Sequence, residues 1–312
     1  MRWRWLHIVP PGTKIDFIGM RYWSLGLSIA LTVISLASIA IQGFNFGIDF
    51  KGGILIEVKL QQAPNLGELR GKLDGLNLGE ISLQQFGAPD DILIRVQTPE
   101  ETPQEQTRVI EAVKSVLGEG VDFRRTEFVG PKVGAELVQA GFLAMLFSLI
   151  GISVYVWFRF EWQFGVGALV STLHDIITTV GLFSVFHLEF SLTTVAAVLT
   201  IAGYSVNDTV VIYDRIRENM RKYKKIPITE IINRSNNETL ARSVITHLTT
   251  LLAVLALLFF GGEVIRGFSI AMVWGIFVGT YSSVFVAVPV LVYLNLRPEA
   301  AAPPGAAAPE TP

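Results

Sequence analysis

IAGYSVNDTVVIYDRIRE, the stretch from Ile201 to Glu218, begins inside an apolar run and ends in a charged helix. The apolar run opens near Leu192 and has about 20 residues, which is the length that crosses a bilayer. Asp208 lies inside this run, and the charged residues from Asp214 onward mark its end. Because an ionisable side chain at membrane depth is costly and usually faces a bundle interior, the stretch predicts a membrane span that contains a partnered carboxylate.

The composition of the whole chain also indicates a membrane protein. Of its 312 residues, 51% are hydrophobic and 17% are charged, whereas a soluble protein usually carries about 25% charged residues. The first apolar run is longer than the core of a signal peptide and is interpreted as an uncleaved span. Six spans are predicted, at residues 22–42, 134–157, 164–186, 191–212, 244–261 and 267–294.

The positive charges orient these spans, because Lys and Arg are enriched on the cytosolic side of a membrane. Residues 1–21 carry four of them and residues 213–243 carry eight. If both segments are cytosolic, the six spans alternate without conflict, and residues 43–131 lie outside. The Ala/Pro-rich residues 298–312 are predicted to be a disordered cytosolic tail.

Residues 43–131 have the pattern of a folded domain rather than of a loop. Thr102, Pro103 and Glu105 are typical of a capped helix start. The hydrophobic pattern predicts strand, helix, two strands, helix and strand, at residues 54–60, 65–76, 81–86, 91–97, 102–117 and 121–129. This order is the ferredoxin-like arrangement. The predicted fold is therefore a polytopic α-helical membrane protein with six transmembrane helices and one α+β ferredoxin-like extracytoplasmic domain.

Asp208 has one candidate partner in the neighbouring span. Arg242 opens the fifth span and is predicted to lie at the depth of Asp208, where it would stabilise the carboxylate. Separation of the two would favour proton uptake, which gives a physical basis for proton coupling. Asn207 is the helical neighbour of Asp208. The alternatives are a permanently paired structural carboxylate and an interfacial arginine that obeys the positive-inside rule.

Other polar or small residues in the spans have two interpretations. His174 and Asp175, in the third span, are either a second relay element or a buried pair that fixes helix packing. His247 is a lone histidine in the fifth span and is interpreted as structural. A stripe of small residues in the sixth span predicts close helix packing; it consists of Gly267, Ala271, Gly275 and Gly279.

Several classes of function are not indicated. The chain has no cysteine, which excludes disulfides and thiol catalysis. Gly52-Gly53 is not followed by the Gly-Lys-Ser/Thr of a phosphate loop, and no metal, nucleotide or nucleophile pattern is recognised. No enzyme activity is therefore predicted. The basic segment 213–225 is interpreted as a helix that meets anionic lipid rather than nucleic acid.

Four motifs, in the right order, resemble the SecF family. They are FGIDFKGG at 46–53, His174-Asp175, GYSVNDTVVIYDRIRE at 203–218 and TLARSVITHLTT at 239–250. The resemblance extends over residues 15–297. His247 departs from it, because the family more often has a small polar residue there.

The resemblance implies a bacterial inner-membrane protein that pairs with SecD to form an RND-type bundle of twelve spans. It also implies association with the SecYEG channel, with YajC and YidC as further partners, and proton-driven late steps of preprotein export. Family residues matching Asp208 and Arg242 are tied to proton conduction, with protons as the coupling ion and no other cofactor. Those matching Asp49, Gly52 and Gly53 shape the junction between the first span and the outer domain.

Two other functions remain open from the sequence. The first is half of an RND-type exporter of small molecules or lipids, although its outer domains would normally be larger. The second is a structural adaptor whose buried charges only hold helices together.

Overall fold

The computed structural model of the chain describes residues 9–10, 12–86, 88–97, 102–118, 120–294 and 296. Within these residues, six helices are long and apolar enough to cross a membrane. The predicted class, a polytopic helical membrane protein with six spans, is thus confirmed. The predicted disordered tail at 298–312 lies outside the described residues, as do residues 1–8.

The helices and strands follow one another with a sheet domain inserted after the first long helix. In chain order they are α1 Arg21–Gln42, β1 Asn45–Phe46, α2 Ile48–Lys51, β2 Gly53–Lys59, α3 Leu66–Asp74, β3 Glu80–Phe86, β4 Ala88–Gln97, α4 Pro103–Leu117, β5 Asp122–Val129, α5 Pro131–Arg159, α6 Trp162–Val185, β6 Glu189–Phe190, α7 Leu192–Lys222, α8 Ile228–Phe260, a 3-10 turn Glu263–Ile265, α9 Arg266–Ser282, a π-helical turn Ser283–Ala287 and α10 Val288–Tyr293.

Three of the long helices form the centre of the bundle. More than half of the apolar window is buried in α6, α7 and α9, whereas α1, α5 and α8 bury 22% or less of theirs. The outer helices turn large apolar side chains outward, such as Trp23, Phe142 and Phe259. Such faces are stable in lipid and not in water, which agrees with a membrane location.

The fourth and fifth spans continue as helices well beyond their apolar parts. The sequence predicts a span at 244–261 after a basic loop or helix at 213–243, whereas α8 is already helical from Ile228 and α7 continues to Lys222. Hydropathy marks the part of a helix that fits the bilayer, and it gives no signal for the polar turns that extend it. Only residues 223–227 separate the two helices.

Ion pairs hold these polar extensions together. The carboxylate of Glu238 on α8 accepts hydrogen bonds from Arg215 on α7 at 2.7 Å and from Arg234 one turn away at 3.0 Å. Asn219 donates to the same carboxylate at 2.8 Å. The end of the bundle that carries these residues is called the basic end, and the opposite end, beside the sheet domain, is called the domain end.

The N-terminal segment lies at the basic end as well. Asn237 on α8 accepts a hydrogen bond from Ile15 N at 2.9 Å, and Asn233 accepts one from Ile18 N at 3.0 Å. The Asp16 carboxylate accepts from Gly19 N at 2.9 Å and from the Asn233 amide at 2.6 Å. These hydrogen bonds, that of Gly19 first, lower the pKa of Asp16. The described part of the N-terminal basic segment therefore occupies the same end of the bundle as residues 213–243.

The last span is not a regular helix. Between α9 and α10 it widens into a π-helical turn at Ser283–Ala287. Such turns insert one extra residue and often occur at functional sites. This turn brings Ser282 and Ser283, both fully buried, into the centre of the bundle.

The sheet domain contains four antiparallel strands in the order β3-β4-β2-β5. With α3 and α4 its elements follow the β-α-β-β-α-β order. Ile54, Ile56 and Val58 alternate onto one face and join the domain core, as the period of two requires. Leu55 and Leu93 point to the other face, where they meet Ile48 of α2.

Two local predictions in this domain have different outcomes. The cap of α4 is confirmed, because the Thr102 side chain accepts a hydrogen bond from Glu105 N at 3.4 Å. The turn predicted at 87–90 is shorter than expected, since β4 already begins at Ala88. Residue 87 itself lies outside the described part of the chain. The strand starts early because Ala88 pairs with Phe86 of β3, and Leu60 N bonds to the Asp90 carbonyl on the side of β2.

Candidate intramembrane charge site

Asp208 lies on α7, at its contact with α8, and is almost fully buried. Its Oδ1 accepts a hydrogen bond from the Ser243 hydroxyl at 2.5 Å. Its Oδ2 is also buried and has no hydrogen-bond partner among the described residues. A carboxylate that is engaged on one oxygen and open on the other is able to take up a proton without losing its existing hydrogen bond.

A second polar pair lies next to Asp208 on the same two helices. The rings of Tyr204 on α7 and His247 on α8 are 5.3 Å apart and meet edge to face. The Tyr204 hydroxyl bonds to the Thr246 carbonyl at 3.3 Å and to the Thr250 hydroxyl at 3.1 Å. His247 is 6% exposed. The histidine interpreted from sequence as a lone packing residue is thus a neighbour of the buried carboxylate.

Arg242 does not form the ion pair with Asp208 that the sequence predicts. Its side chain is exposed, whereas the next residue, Ser243, faces α7 and makes the contact. Successive helical residues point about 100° apart, so the two cannot both face Asp208. Arg242 still lies within electrostatic range of Asp208, as does His247. The prediction that Arg242 and Asp208 lie at similar depth therefore holds, whereas the prediction that they form an ion pair is wrong.

Asn207 also faces away from the site, and it belongs to an exposed stripe along α7. The stripe recurs at intervals of three and four residues and contains only small or polar side chains: Thr193, Ala196, Thr200, Gly203 and Asn207. A methyl group added at Gly203 would meet no atom within 4 Å. This spacing and composition are typical of a helix surface that packs against another helix.

Asp175 on α6 is the centre of a second, fully buried site. Its Oδ2 accepts hydrogen bonds from Ser205 of α7 at 2.5 Å and from Ser282 of α9 at 2.8 Å. Its Oδ1 lies 3.2 Å from His174 Nδ1. Ser171 donates to the Ser282 hydroxyl at 3.0 Å. One carboxylate thereby joins the three central helices, and His174 and Asp175 contact each other as predicted.

Hydroxyl groups connect this centre to the π-helical turn. Thr209 of α7 is hydrogen-bonded to the Ser283 hydroxyl at 2.9 Å. Ser205, which binds Asp175, lies three residues before Asp208 on the same helix. A change at either carboxylate therefore acts on α7 within one turn of the other.

The domain end of α7 is held by the outer domain. Leu192 N, at the first position of α7, donates a hydrogen bond to the Asp49 Oδ2 at 2.8 Å. Arg95 of β4 forms an ion pair with Glu189 at 2.9 Å. Glu189 lies two residues before Ser191, the N-cap residue of α7. The short parallel pairing of β1 with β6 lies beside these contacts. Sequence reasoning missed this pairing because two-residue strands have no period to detect.

The small-residue stripe of the last span lies against α7. A methyl group added at Gly275 would collide with Ile201, and one added at Gly279 would come within 3.2 Å of Ser205. A methyl group added at Gly267 would lie 3.6 Å from the Thr194 hydroxyl, and Ala271 is fully buried. The stripe sets the close approach of α9 to α7, and Ser282 at the end of α9 bonds to Asp175 of α6.

Comparison with known proteins identifies the family. A sequence model described as "Protein export membrane protein SecD/SecF, C-terminal" matches residues 109–297, and one described as "SecD/SecF GG Motif" matches residues 37–64. Protein translocase subunit SecF of Rickettsia rickettsii is 52% identical over 94% of this chain and 96% of that protein. The chain belongs to the SecF family. The protein of the same name from Rickettsia felis is 51% identical over 94% of this chain. Membership in this family gives the chain a role in protein translocation.

Solved structures of related proteins support the same membership. The crystal structure of SecDF, a translocon-associated membrane protein from Thermus thermophilus, matches with a TM-score of 0.84 at 36% identity. The match covers 92% of this chain and 39% of that one, so this SecF family member spans about two fifths of the solved SecDF chain. A structure of SecDF in the "Super-membrane-facing form" matches with a TM-score of 0.68 over 94% of this chain.

The glycine pair of the GG motif has a direct physical role in this SecF family member. Gly52 and Gly53 have φ values of 72° and 117°, which side chains rarely adopt. A methyl group at Gly53 would also collide with the Val96 carbonyl of β4. The pair therefore lets the chain turn sharply from α2 into β2, which holds Asp49 beneath the sheet and beside Leu192.

The residues that sequence reasoning missed are mostly hydroxyls. Ser243, Ser282 and Ser283 are buried and bind the two carboxylates or their neighbours. Serine is common in packed membrane helices, so its presence alone carries little information. A usable signal is the position of Ser243 four residues before His247, which places both on one face of α8.

Proposed function

We propose that this chain, paired with SecD, uses proton movement through Asp208 to drive late steps of preprotein export through the SecYEG channel. YajC and YidC are proposed as further associates. The chain would lie in a bacterial inner membrane, with the basic end cytosolic and residues 43–131 periplasmic. This orientation follows the positive-inside rule, since residues 213–243 and the described part of the N-terminal basic segment occupy one end of the bundle.

The observation that carries this proposal is the continuity of α7. One unbroken helix runs from Leu192, which the outer domain holds through Asp49, to the buried Asp208. Asp208 lies sixteen positions after Leu192, which is about 24 Å along the helix at 1.5 Å per residue. A rigid helix transmits a tilt or shift at Asp208 to the outer domain without loss along the way.

The energies involved are of matching size. One elementary charge that crosses 100 mV releases about 2.3 kcal/mol. A hydrogen bond to a charged group, such as that from Ser243 to Asp208, contributes about 1.5–3 kcal/mol. One or two protons per cycle are therefore enough to break and remake the contact between α7 and α8. Protons would be the coupling ion, and we propose no cofactor and no hydrolytic or redox step.

The exposed stripe along α7 supports the pairing with SecD. The stripe runs from Thr193 to Asn207, and the adjacent face of α8 exposes Arg242, Thr246 and Thr249 at similar depth. Polar groups facing lipid are unfavourable, because lipid offers them no hydrogen bonds. The Thr246 and Thr249 hydroxyls bond to carbonyls of their own helix, whereas Asn207 and Arg242 expose polar side chains that a second bundle of helices would cover. The solved SecDF chain is long enough to contain such a bundle. The outward apolar faces of α1 and α5 would instead meet membrane lipid, and no nucleic-acid partner is proposed.

Two matches to SecDF support a change of shape within the family. The two solved structures have the same 36% identity to this chain and cover nearly the same share of it, but their TM-scores are 0.84 and 0.68. Equal identity with unequal fit indicates that the same region adopts different arrangements in the two. Such a difference is what a proton-driven cycle requires.

Asp208→Asn tests the proposal, because asparagine keeps the size and can still accept from Ser243 but cannot carry a proton. Vesicles containing the variant with SecD are expected to lose proton-driven preprotein export while the variant still co-purifies with SecD. The matched control is Asp214→Asn on the same helix, a half-exposed residue that pairs with Arg159 at 2.8 Å. It should export normally. Normal export by Asp208→Asn would refute the proposal, and loss of dye efflux instead of export would favour an exporter.

A further inference from the structure

Four buried polar atoms of α7 and α8 have no hydrogen-bond partner among the described residues: both amide atoms of Asn236, Asp208 Oδ2 and His247 Nδ1. Asn236 lies about two helical turns before Ser243, whereas Asp208 and His247 are close neighbours in one site. The side chains of Asp208 and His247 are both less than one-tenth exposed. An unpartnered buried polar atom gives up its hydrogen bonds to water without replacement, which is unfavourable. Two of them in one small site therefore need an explanation.

The register of the two helices places these atoms in sequence along the membrane. Asp208 contacts Ser243, and Tyr204 contacts His247, so that each pair is four residues from the other on both helices. Because α7 and α8 run in opposite directions, His247 lies one turn, about 5.4 Å, closer to the domain end than Asp208. A proton that comes from the domain end reaches His247 first.

The other groups around His247 do not compete for this role. Tyr204 presents its ring to the imidazole and uses its hydroxyl to bind Thr246 and Thr250. On α9, which also packs on α8, residues 267–282 carry no Asp, Glu, Lys, Arg or His. The Tyr281 hydroxyl of α9 binds Ser24 and Ser28 of α1 and so faces the opposite side. Arg242 is exposed one residue before Ser243.

We propose that His247 is a relay residue that receives a proton from the domain end and hands it to Asp208. In the transfer, the N–H bond at Nδ1 of the imidazolium breaks and an O–H bond forms at Asp208 Oδ2, directly or through one water. The products are a neutral imidazole and a carboxylic acid, and the next proton from the domain end restores the imidazolium. Imidazole suits this step because it changes charge in the physiological pH range. The inference rests on the proposed function of Asp208 and adds the group that supplies it.

The edge-on contact with Tyr204 would position the ring for this transfer. Edge-to-face aromatic pairs are favourable beyond their burial, and this pair restricts rotation of the imidazole. If packing against Tyr204 were instead the whole role of His247, any side chain of similar size would replace it at every pH. This difference separates a relay from a structural residue.

The test is proton flux in proteoliposomes that contain the complex with SecD, measured with a pH-sensitive dye across a range of domain-side pH. His247→Gln keeps hydrogen-bonding capacity but cannot titrate. At alkaline domain-side pH, we expect its flux to fall by about 100-fold, the lower end of what a positioned proton donor contributes. The deficit should shrink as that pH is lowered, because protons then reach Asp208 without the relay. His187→Gln is the matched control, since His187 is exposed and lies outside the site, and it should retain the flux at every pH.

The alternatives give different results. A pH profile of His247→Gln parallel to that of the unmodified complex, or a flux lost equally at every pH, would overturn the relay and leave His247 as a structural residue. Flux that persists in Asp208→Asn would instead refute the proposed function itself. A second readout is the ¹⁵N signal of the His247 ring in the intact complex. This signal should change when Asp208 is replaced by Asn, and an unchanged signal would overturn the proposal.

Discussion

Replacement of Asp49 should separate proton conduction from export. Its carboxylate accepts the hydrogen bond from Leu192 N at 2.8 Å. This hydrogen bond links the outer domain directly to the first turn of α7. If α7 transmits the change at Asp208 to that domain, Asp49→Ala should leave proton flux intact and reduce preprotein export. A variant that conducts but does not export is not expected from damage at the proton site itself.

The size of the local effect follows from the contact. A hydrogen bond to a charged group contributes about 1.5–3 kcal/mol, so Asp49→Ala should cost about 2 kcal/mol at the start of α7. Because 1.4 kcal/mol is tenfold in an equilibrium constant, opening of this turn should become about 30-fold more frequent. Asp49→Asn retains a neutral acceptor, so its cost should be about 1 kcal/mol, or about fivefold.

Hydrogen–deuterium exchange of the complex with SecD measures this opening directly. Exchange at the Leu192 amide should be faster in Asp49→Asn than in the unmodified chain, and faster still in Asp49→Ala. Exchange at amides deep in α7, such as that of Ala202, should not change. Asp74→Ala is the matched control, since Asp74 is an exposed carboxylate at the end of α3. Unchanged exchange at Leu192, or normal export by Asp49→Ala, would refute the idea that this contact couples the domain to α7.

Three further predictions concern the bundle and its basic end. Asp175→Asn leaves Ser205 and Ser282 without their shared charged acceptor and should destabilise the complex by about 1–3 kcal/mol. The complex should then unfold at a lower temperature, and an unchanged unfolding temperature would argue against the role of Asp175 in joining the three central helices. Gly275→Ala collides with Ile201 and should cost about 1–3 kcal/mol, whereas Gly151→Ala, with no atom within 4 Å, should be tolerated; equal effects would contradict the packing account. Because hydrogen bonds lower the pKa of Asp16 in the folded chain, its contribution to stability is present above its ordinary value of 3.8 and is lost as the pH falls through the lowered value. An NMR titration of this carboxyl should therefore give a midpoint below 3.8 and one nearer the ordinary value in Asn233→Ala; a midpoint above 3.8 would contradict the contacts of Asp16.

The sequence predicts the large features well because their physical signal is strong. Runs of about 20 apolar residues have few alternatives to a membrane helix, and the alternation at Ile54, Ile56 and Val58 has few alternatives to a half-buried strand. The buried state of Asp208 and the contact of His174 with Asp175 are also predictable. An ionisable group exposed to the hydrocarbon core is unfavourable, so ionisable groups at this depth need polar surroundings.

What the sequence does not predict is which neighbour each charge meets. Attraction between opposite charges made Arg242 the expected partner of Asp208, but helix rotation gives that place to Ser243. A hydropathy pattern specifies the length and depth of a span far better than its rotation. The same limit hid Ser282 and Ser283, because a hydropathy pattern does not report the π-helical turn that aims them inward. Pro289, which follows this turn and cannot donate to the helical ladder, is a signal that the hydropathy pattern passes over.

The most direct test of the account asks whether the protonation state of Asp208 sets the position of the outer domain. The chain has no cysteine, so spin labels can be placed on cysteines introduced at the exposed positions Arg70, in the outer domain, and Phe186, at the domain end of α6. Pulsed electron paramagnetic resonance on the complex with SecD would then give the distance between them at acidic and at alkaline pH. The account predicts two distance distributions that exchange with pH in the otherwise unmodified chain, and one pH-independent distribution in Asp208→Asn. A pH-dependent shift that survives in Asp208→Asn would contradict it.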